Sequence, residues 1–424
     1  MLRMIFIQLW NERKGNVLIF LELLVVSVFL WYMVDTLYVN YKEYERPLGF
    51  DISHVYHVRL ATVPQSSADY DTTAIHSHYG GGDFLTLYDR LAHNPSVESV
   101  CYTSNNHFHY RGSNSFATFK NDSLARQGYL RHVDPAYFRV FRVKTAHGES
   151  WEKLEQALRD NQIVVTGTVA ETFFGDAGKA ERKEIWITDQ GRTDSMAYRI
   201  GAVSELQRYA DFSSYDYAYY KPVGTEEAFR NSSAVVADVL NLFIRVKPAA
   251  DNSRFVDDFT REMSQQMRLG NIYLKEVIPM TYYRNEFLRS WVDNIRMYAS
   301  CILFFLLNVF LGIIGTFWFR TQQRSSEIGL RMAMGASRRN IFRHLFTEGF
   351  VLLGIAFVPA AIIFANLAYM EVTTQTDMQL SAAARILWGM GLTLMMIGLM
   401  VVIGMGFPAF RAMRMQPADT LHDE

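Results

Sequence analysis

The chain has 424 residues, 42 Lys/Arg against 43 Asp/Glu and a formal net charge of -1, so no basic field of the kind that binds nucleic acid is available. Its two cysteines, Cys101 and Cys301, exclude a disulfide framework, because the second falls inside an apolar run that the first has no reason to meet. Mean hydropathy near zero is what four apolar runs give when averaged with a polar domain, so local windows decide the class.

Met1 to Trp10, apolar except for Arg3 and Gln8, suggests a short interfacial helix before the first span. Asn16 to Val39 follows as a first membrane span, too long for a signal-peptide core and with no small-x-small cleavage site after it, which predicts a retained anchor. Pro47 is expected to end any helical extension. A single helix over Val17 to Glu45 would run about 45 Å and overshoot a hydrocarbon core of roughly 30 Å by several turns.

Residues 40–290 carry 29 Lys/Arg and 32 Asp/Glu, an ordinary globular balance. Short runs rich in β-branched residues predict strands at Val55–Leu60, Ser99–Thr103, Gln162–Val165, Ile185–Ile187, Tyr198–Val203 and Leu242–Val246. Amphipathic periods predict helices at Gly82–Ala92, Trp151–Arg159, Val169–Phe174 and Arg254–Met267. The expectation is an α+β domain of one or two lobes. Two His-x-His pairs, His76/His78 and His107/His109, would share a face on a strand as metal ligands do, but neither has a cysteine or a third ligand nearby. No G-x-S-x-G or H-E-x-x-H is present, so nothing points to enzymatic chemistry or to a cofactor.

Thr281 to Ile295 is polar and helix-compatible, with Phe287, Trp291 and Ile295 four apart on one face, and can extend the next span outward as a stalk. Three further spans are predicted at Met297–Phe319, Leu345–Tyr369 and Ile386–Phe407, with Trp31, Tyr32, Tyr38, Trp291, Tyr298 and Trp318 as an interfacial aromatic belt. The connection 320–344 holds Arg320, Arg324, Arg331, Arg338, Arg339 and Arg343 against Glu327 alone, whereas 370–384 holds Glu371 and Asp377 and no base before its end. The positive-inside rule then places the first connection and both termini in the cytoplasm and the large domain outside. The fold expected is membrane α-helical, four transmembrane helices in a one-plus-three arrangement, with a large extracytoplasmic α+β domain inserted between helices 1 and 2. Residues 1–45, 46–285 and 286–424 form the expected domains. Within the spans, Glu22, Asn308 and Glu348 are polar groups that call for partners, and the two carboxylates sit one to two turns inside the cytoplasmic edge. An ion path or simple pairing with Asn308, Ser27 or a loop arginine both fit.

The basic connection has a further pattern. Gly335 suits a left-handed helix end and Ser337 the next N-cap, which predicts helix, tight turn, helix at the membrane surface. A basic loop that served only topology or lipid headgroups would not require that turn. Glu327, Ile328, Gly329, Ala333, Gly335, Ala336, Ser337 and Ile341 follow E-I-G-x-x-x-A-x-G-A-S/T-x-x-x-I, and the chain here resembles the FtsX/MacB type of ABC-transporter permease. Pro408, Arg411, Pro417 and Leu421 are similar to the family's closing motif, and Val133 to Phe138, Ile163 to Val165 and Glu171 to Gly175 resemble its periplasmic core domain. The resemblance implies that Glu327, Ile328, Gly329, Arg331, Gly335, Ala336, Ser337, Arg338 and Arg339 couple to a cytoplasmic ABC ATPase. The 424 residues contain no G-x-x-x-x-G-K-[ST] loop; Gly175 to Ala180 has the wrong spacing and lacks the hydroxyl. The ATPase is therefore expected on a partner chain, with two permeases (a homodimer or a paired permease) in a bacterial inner membrane. Efflux or transfer of a substrate is the first functional expectation, with a periplasmic partner possible. A signalling permease that regulates a cell-wall hydrolase, and a merely anchored binding or sensory module, are the alternatives.

Overall fold

The computed structural model describes residues 7, 11, 13–72, 81–104, 107–111, 115–121, 124–224, 240–370 and 382–414. The expected interfacial helix (apart from Ile7), the pair His76/His78, the acidic connection with Glu371 and Asp377, and the closing Pro417 and Leu421 lie outside the described residues. Two compact units emerge, Met1–Glu45 with Trp291–Glu424, and Arg46–Ser290.

In chain order the elements are α1 (Arg13–Glu45), β1 (Val55–Thr62), α2 (Gly81–Ala92), β2 (Val97–Ser104), β3 (Ser115–Asn121), β4 (Leu124–Val133), α3 (Tyr137–Val140), α4 (Glu152–Arg159), β5 (Ile163–Thr166), α5 (Gly167–Phe174), α6 (Ala177–Ala180), β6 (Glu184–Asp189), β7 (Met196–Ser204), β8 (Ala218–Pro222), β9 (Leu240–Val246), α7 (Phe255–Gln266), β10 (Ile272–Pro279), α8 (Met280–Gln323), α9 (Ser325–Ala333), α10 (Arg338–Tyr369) and α11 (Ala382–Arg414). Helices α1, α8, α10 and α11 are long and apolar enough to cross a membrane.

The helical unit packs along seams that the sequence spacing dictates. On α1 the buried positions Ile19, Leu23, Val26, Leu30 and Met33 alternate steps of four and three; on α11 Ile397, Val401, Met405 and Ala409 step by four. Ile302, Val309, Ile313 and Phe317 of α8 and Leu345, Leu352 and Ala356 of α10 complete that core. Leu303, Phe304, Leu307 and Leu311, on the remaining face of α8, stay exposed, as a lipid-facing stripe requires. Trp31 departs from the expected aromatic belt. It is 1% exposed and stacks on Phe364 at 4.8 Å, so it is a core side chain and not an interfacial anchor.

The α+β unit is one sheet of order β10-β1-β9-β2-β4-β3-β6-β7-β5-β8, and an additional β4–β8 pairing brings its last strand back to β4. Six strands therefore close on themselves around Phe119, Leu130, Val165, Ile187, Ile200 and Tyr219. The other four form an antiparallel lobe that packs Phe84, Leu87 and Leu91 of α2 and Phe255, Phe259 and Met263 of α7 against Val58, Val100 and Leu242. The six strands and four helices read from the sequence are present, each within a few residues of its expected bounds. Strands β3, β4, β8 and β10 were not foreseen. Their runs are interrupted by Lys120 in β3, Gly128 and Arg131 in β4, Lys221 in β8 and Glu276 in β10, and their inward positions are partly small or polar. At the end of the unit, Met280, Tyr283, Phe287 and Leu288 of α8 pack into a third cluster with Phe108, Phe138 and Phe243. The inward stripe of α8 is thus 280/283/288 with half-buried 287; Trp291 of the expected 287/291/295 face is 38% exposed.

Candidate functional site

Helix α8 ends at Gln323, and Arg324 caps the start of α9. That short helix buries Ile328 and Gly329 and exposes Glu327, Leu330 and Met334, while Arg331 is half-buried. It stops in a Schellman turn: the Gly335 amide donates to the Met332 carbonyl at 3.0 Å and the Ala336 amide to the Arg331 carbonyl at 2.9 Å. Gly335 has φ +94°, a conformation L side chains rarely adopt, and no neighbour lies within 4 Å of a Cβ placed there. Ser337 then caps α10 from extended backbone (φ -71°, ψ 148°), its Oγ accepting from the Asn340 amide at 3.3 Å. Arg338 and Arg339 extend from the first turn into solvent, and Ala336 is half-buried between the two helices. The helix-turn-helix surface expected from the sequence is therefore built, with two exposed apolar side chains among arginines.

Beneath it lies a polar cluster built on Glu348, for which the sequence left pairing with Asn308, Ser27 or a loop arginine open. Glu348 of α10 is 1% exposed and accepts from Arg320 Nη1 at 3.3 Å and from Arg324 Nη1 at 3.3 Å, while Arg320 Nη2 donates to Asn16 Oδ1. One carboxylate thereby joins α10 to α8, to the residue that caps α9 and, through Arg320, to α1. Of the alternatives held open for Glu348, loop arginines are the partners. Glu22 differs: its carboxylate occupies the space a Cβ on Gly312 of α8 would need. Asn308 is exposed on the outward stripe of α8. Ser27 is buried with its hydroxyl unpaired.

A second buried pair was not foreseen. Asp35 of α1 is 1% exposed and takes Arg385 of α11 on both oxygens, at 2.7 Å from Nε and 2.5 Å from Nη2. An apolar cavity of about 310 Å³ flanks it, lined by Val34, Tyr38, Trp388, Leu392 and Met395. The signal was legible, since an acid inside one span and an arginine at the rim of another require each other.

In the α+β unit, His107 and His109 lie in a turn and not on a strand, and each is committed elsewhere. His107 Nδ1 accepts from the His132 amide at 2.9 Å and its Nε2 faces Ser115 Oγ at 2.9 Å; His109 stacks on Phe50 at 3.6 Å between ring centroids. Among the described residues no group of three or more His, Cys, Asp or Glu could hold a metal ion. Burial holds the His57 imidazole down to about 3, with Arg59 adding to the effect, and His107 to about 3, with His132 and Arg131 adding; burial likewise holds His109 well below its usual value. Because the unfolded chain protonates these groups near 6.5, their contribution is present above that pH and lost as pH falls toward 3. Asp134 and Asp216, each pushed up to about 7 by burial, work with the opposite sign, losing stability as pH rises from about 4 to 7. A single substitution separates the two: between pH 6.5 and 5 the α+β unit of the parent should lose about 2 kcal/mol more than a His57→Gln variant, followed by its unfolding transition at the two pH values. Equal losses would show that His57 is protonated in the folded state.

Two family models match the chain, one in each of its units. Residues 44–262 match the MacB-like periplasmic core domain and residues 299–417 the FtsX-like permease C-terminal domain. The chain is 25% identical over 285 residues to the macrolide export ATP-binding/permease protein MacB of Rhodopseudomonas palustris (strain HaA2), covering 64% of this chain and 40% of that one. It is 24% identical over 280 residues to MacB 1/2 of Paracoccus denitrificans (strain Pd 1222), covering 65% and 38%. The chain thus spans about two fifths of the length of these relatives. Among solved structures it is similar to a domain of a permease protein from Porphyromonas gingivalis (15% identity, TM-score 0.33, 54% of this chain and 91% of that one). It is also similar to the periplasmic region of MacB from Actinobacillus actinomycetemcomitans (10% identity, TM-score 0.31, 60% and 98%). With family models matched across both of its units, the chain belongs to the ABC-transporter permeases that join a MacB-like periplasmic core domain to an FtsX-like permease domain.

Proposed function

We propose that this chain is the permease subunit through which a cytoplasmic ABC ATPase moves an extracytoplasmic α+β domain, for efflux or transfer of a substrate. The observation that carries it is the α9–Schellman turn–Ser337 cap: a defined turn that exposes Leu330 and Met334 among Glu327, Arg338 and Arg339. A topogenic loop needs charge but no defined turn, whereas a partner that must push a helix needs a rigid one. The basic connection of α9 lies on the cytoplasmic side in this reading, with both termini, in a bacterial inner membrane.

Displacement then travels by stiffness. Helix α8 is continuous over 44 residues, about 66 Å at 1.5 Å per residue, from its polar first turns to Gln323. Motion imposed on α9 reaches α8 and α10 through Glu348, which both Arg320 and Arg324 grip. Two such chains work together: Asn308 presents an amide on the exposed Leu303/Phe304/Leu307/Leu311 stripe, where in lipid a second copy satisfies it.

The test is association. The chain in nanodiscs is mixed with candidate ABC ATPases from the same organism, with and without ATP and vanadate, and binding and turnover are measured. Nucleotide-dependent binding that raises turnover is expected. Failure to bind, with the ATPase active by itself, would leave an anchored binding module as the better reading.

A further inference from the structure

The chain passes between the two units at two places, Glu45/Arg46 and Ser290/Trp291, and the α+β unit holds the residues next to both with the same loop. Residues 207–216 lie between β7 and β8. Arg208, fully buried, donates from Nε to the Pro47 carbonyl at 3.1 Å and from Nη2 to the Arg46 carbonyl, while its own amide donates to the Leu48 carbonyl at 3.0 Å. Gly49, at φ +77°, lies so close to Leu206 and Gln207 that a Cβ would collide with their backbone. Arg46 also lies over the Tyr215 ring at 4.2 Å. The loop thus follows the chain residue by residue where it leaves α1.

Three residues further on, Asp211 is 3% exposed and receives Arg284 of α8 as a fork, Nε to Oδ1 and Oδ2 at 3.2 and 3.1 Å and Nη2 to Oδ1. Tyr110 donates its hydroxyl to Asp211 Oδ2 at 3.1 Å, and burial together with the Asp211 charge pushes that phenol's pKa up. Phe287, one turn along α8, packs on Tyr209 at 5.4 Å between centroids. The two grips are joined, because Arg208 Nη1 donates to the Asp211 carbonyl at 2.7 Å. The loop itself is anchored to the sheet: Gln207 Nε2 donates to Ser204 Oγ at 2.8 Å and Tyr220 donates to Gln207 Oε1.

We infer that residues 207–216 are a double clasp that binds the start of the α+β unit and the root of α8 to one loop, so that the two roots move only together. Arg208, Asp211 and Arg284 are positioning residues. Charge-assisted, bidentate contacts inside a low-dielectric setting are the strong kind, and a planar guanidinium that reaches three carbonyls cannot be replaced by an ammonium. The geometric inference stands on these contacts alone; its use, delivering helix motion to the domain as a unit, rests on the permease reading.

Hydrogen exchange on the full chain in detergent tests it. Arg284 is partly exposed, so Arg284→Gln removes the fork without opening the core. Exchange should rise about tenfold in peptides covering 280–290 and also in those covering 44–51, which the Arg208–Asp211 link ties to Arg284. Arg208→Lys should give the reciprocal result, raising exchange at 280–290. Arg289→Gln, one turn along and solvent-exposed, should leave 44–51 unchanged. Loosening confined to 280–290 in Arg284→Gln would overturn the clasp. If Arg208→Lys loosens the whole unit, Arg284→Gln alone decides. Linked loosening with undiminished coupling of ATP turnover to transport would keep the clasp and sink the lever reading.

Discussion

Replacing Glu348 with alanine should destabilise the helical unit by about 3–5 kcal/mol, measured as unfolding free energy by SDS titration in mixed micelles. The carboxylate is 1% exposed and holds two guanidinium groups from 3.3 Å, so its removal takes a charge partner from buried Arg320 and half-buried Arg324 together. Glu348→Gln keeps the volume and loses the charge, and should cost nearly as much. The instructive variant is the triple replacement of Arg320, Arg324 and Glu348 by methionine. Buried ion clusters are often no more stabilising than apolar side chains of similar size, so it should recover most of the loss. It should not recover coupling, because the link from α10 to the residue that caps α9 is gone. A loss under about 1 kcal/mol in Glu348→Ala would mean that water reaches the cluster and that it holds nothing together.

What was legible in the sequence follows from the range of the forces involved. Apolar runs and their breakers act within one helix, which is why the four long helices and the end of α1 at Glu45, two residues before Pro47, came out near their expected bounds. The turn at Gly335 and the cap at Ser337 are equally local, each decided by one residue's backbone or hydroxyl. The six strands that were foreseen are dense in β-branched residues. Strand β4 was missed because its sequence, with Arg126, Gln127, Gly128 and Arg131, carries no apolar alternation; it is a strand because β3 and β8 pair with its two edges. Long-range closure of that kind has no local signature.

Among candidate site residues the same division holds. Glu348, Arg320 and Arg324 were each noticed, but nothing in their spacing says that two arginines converge on one acid 24 and 28 positions away. Asp35 and Arg385, 350 residues apart, were not paired in advance, although the cost of a lone charge in a span makes a partner a near-necessity. Trp31 was misjudged for a related reason. Tryptophan near a span's end is assigned to the interface by preference, and here the stacking face offered by Phe364 outweighs it. The loop 207–216 had no signal at all, since Arg208 and Asp211 act mainly on backbone carbonyls and on a residue 73 positions away.

Exchanging Gly335 for valine should weaken ATPase association about tenfold and remove the stimulation of turnover, with expression and membrane insertion unchanged. The space is open, so crowding is not the reason: no atom lies within 4 Å of a Cβ at that position. What valine meets is the backbone at φ +94°, where an L side chain costs roughly 1–2 kcal/mol and a β-branched one has the fewest rotamers to relieve it. The turn escapes that cost by giving up the two bonds that define it, Gly335 to Met332 and Ala336 to Arg331, and α9 then leaves α10 at a different angle. Gly335→Asn separates backbone from surface. Asparagine tolerates the left-handed region and has room here, so it should retain most of the coupling that valine loses. Full activity in the valine variant would make the turn dispensable. If asparagine failed as badly as valine, the bare surface of Gly335 and not its conformation would be what the ATPase reads, and the partner would have to approach within contact distance of this residue's α-carbon.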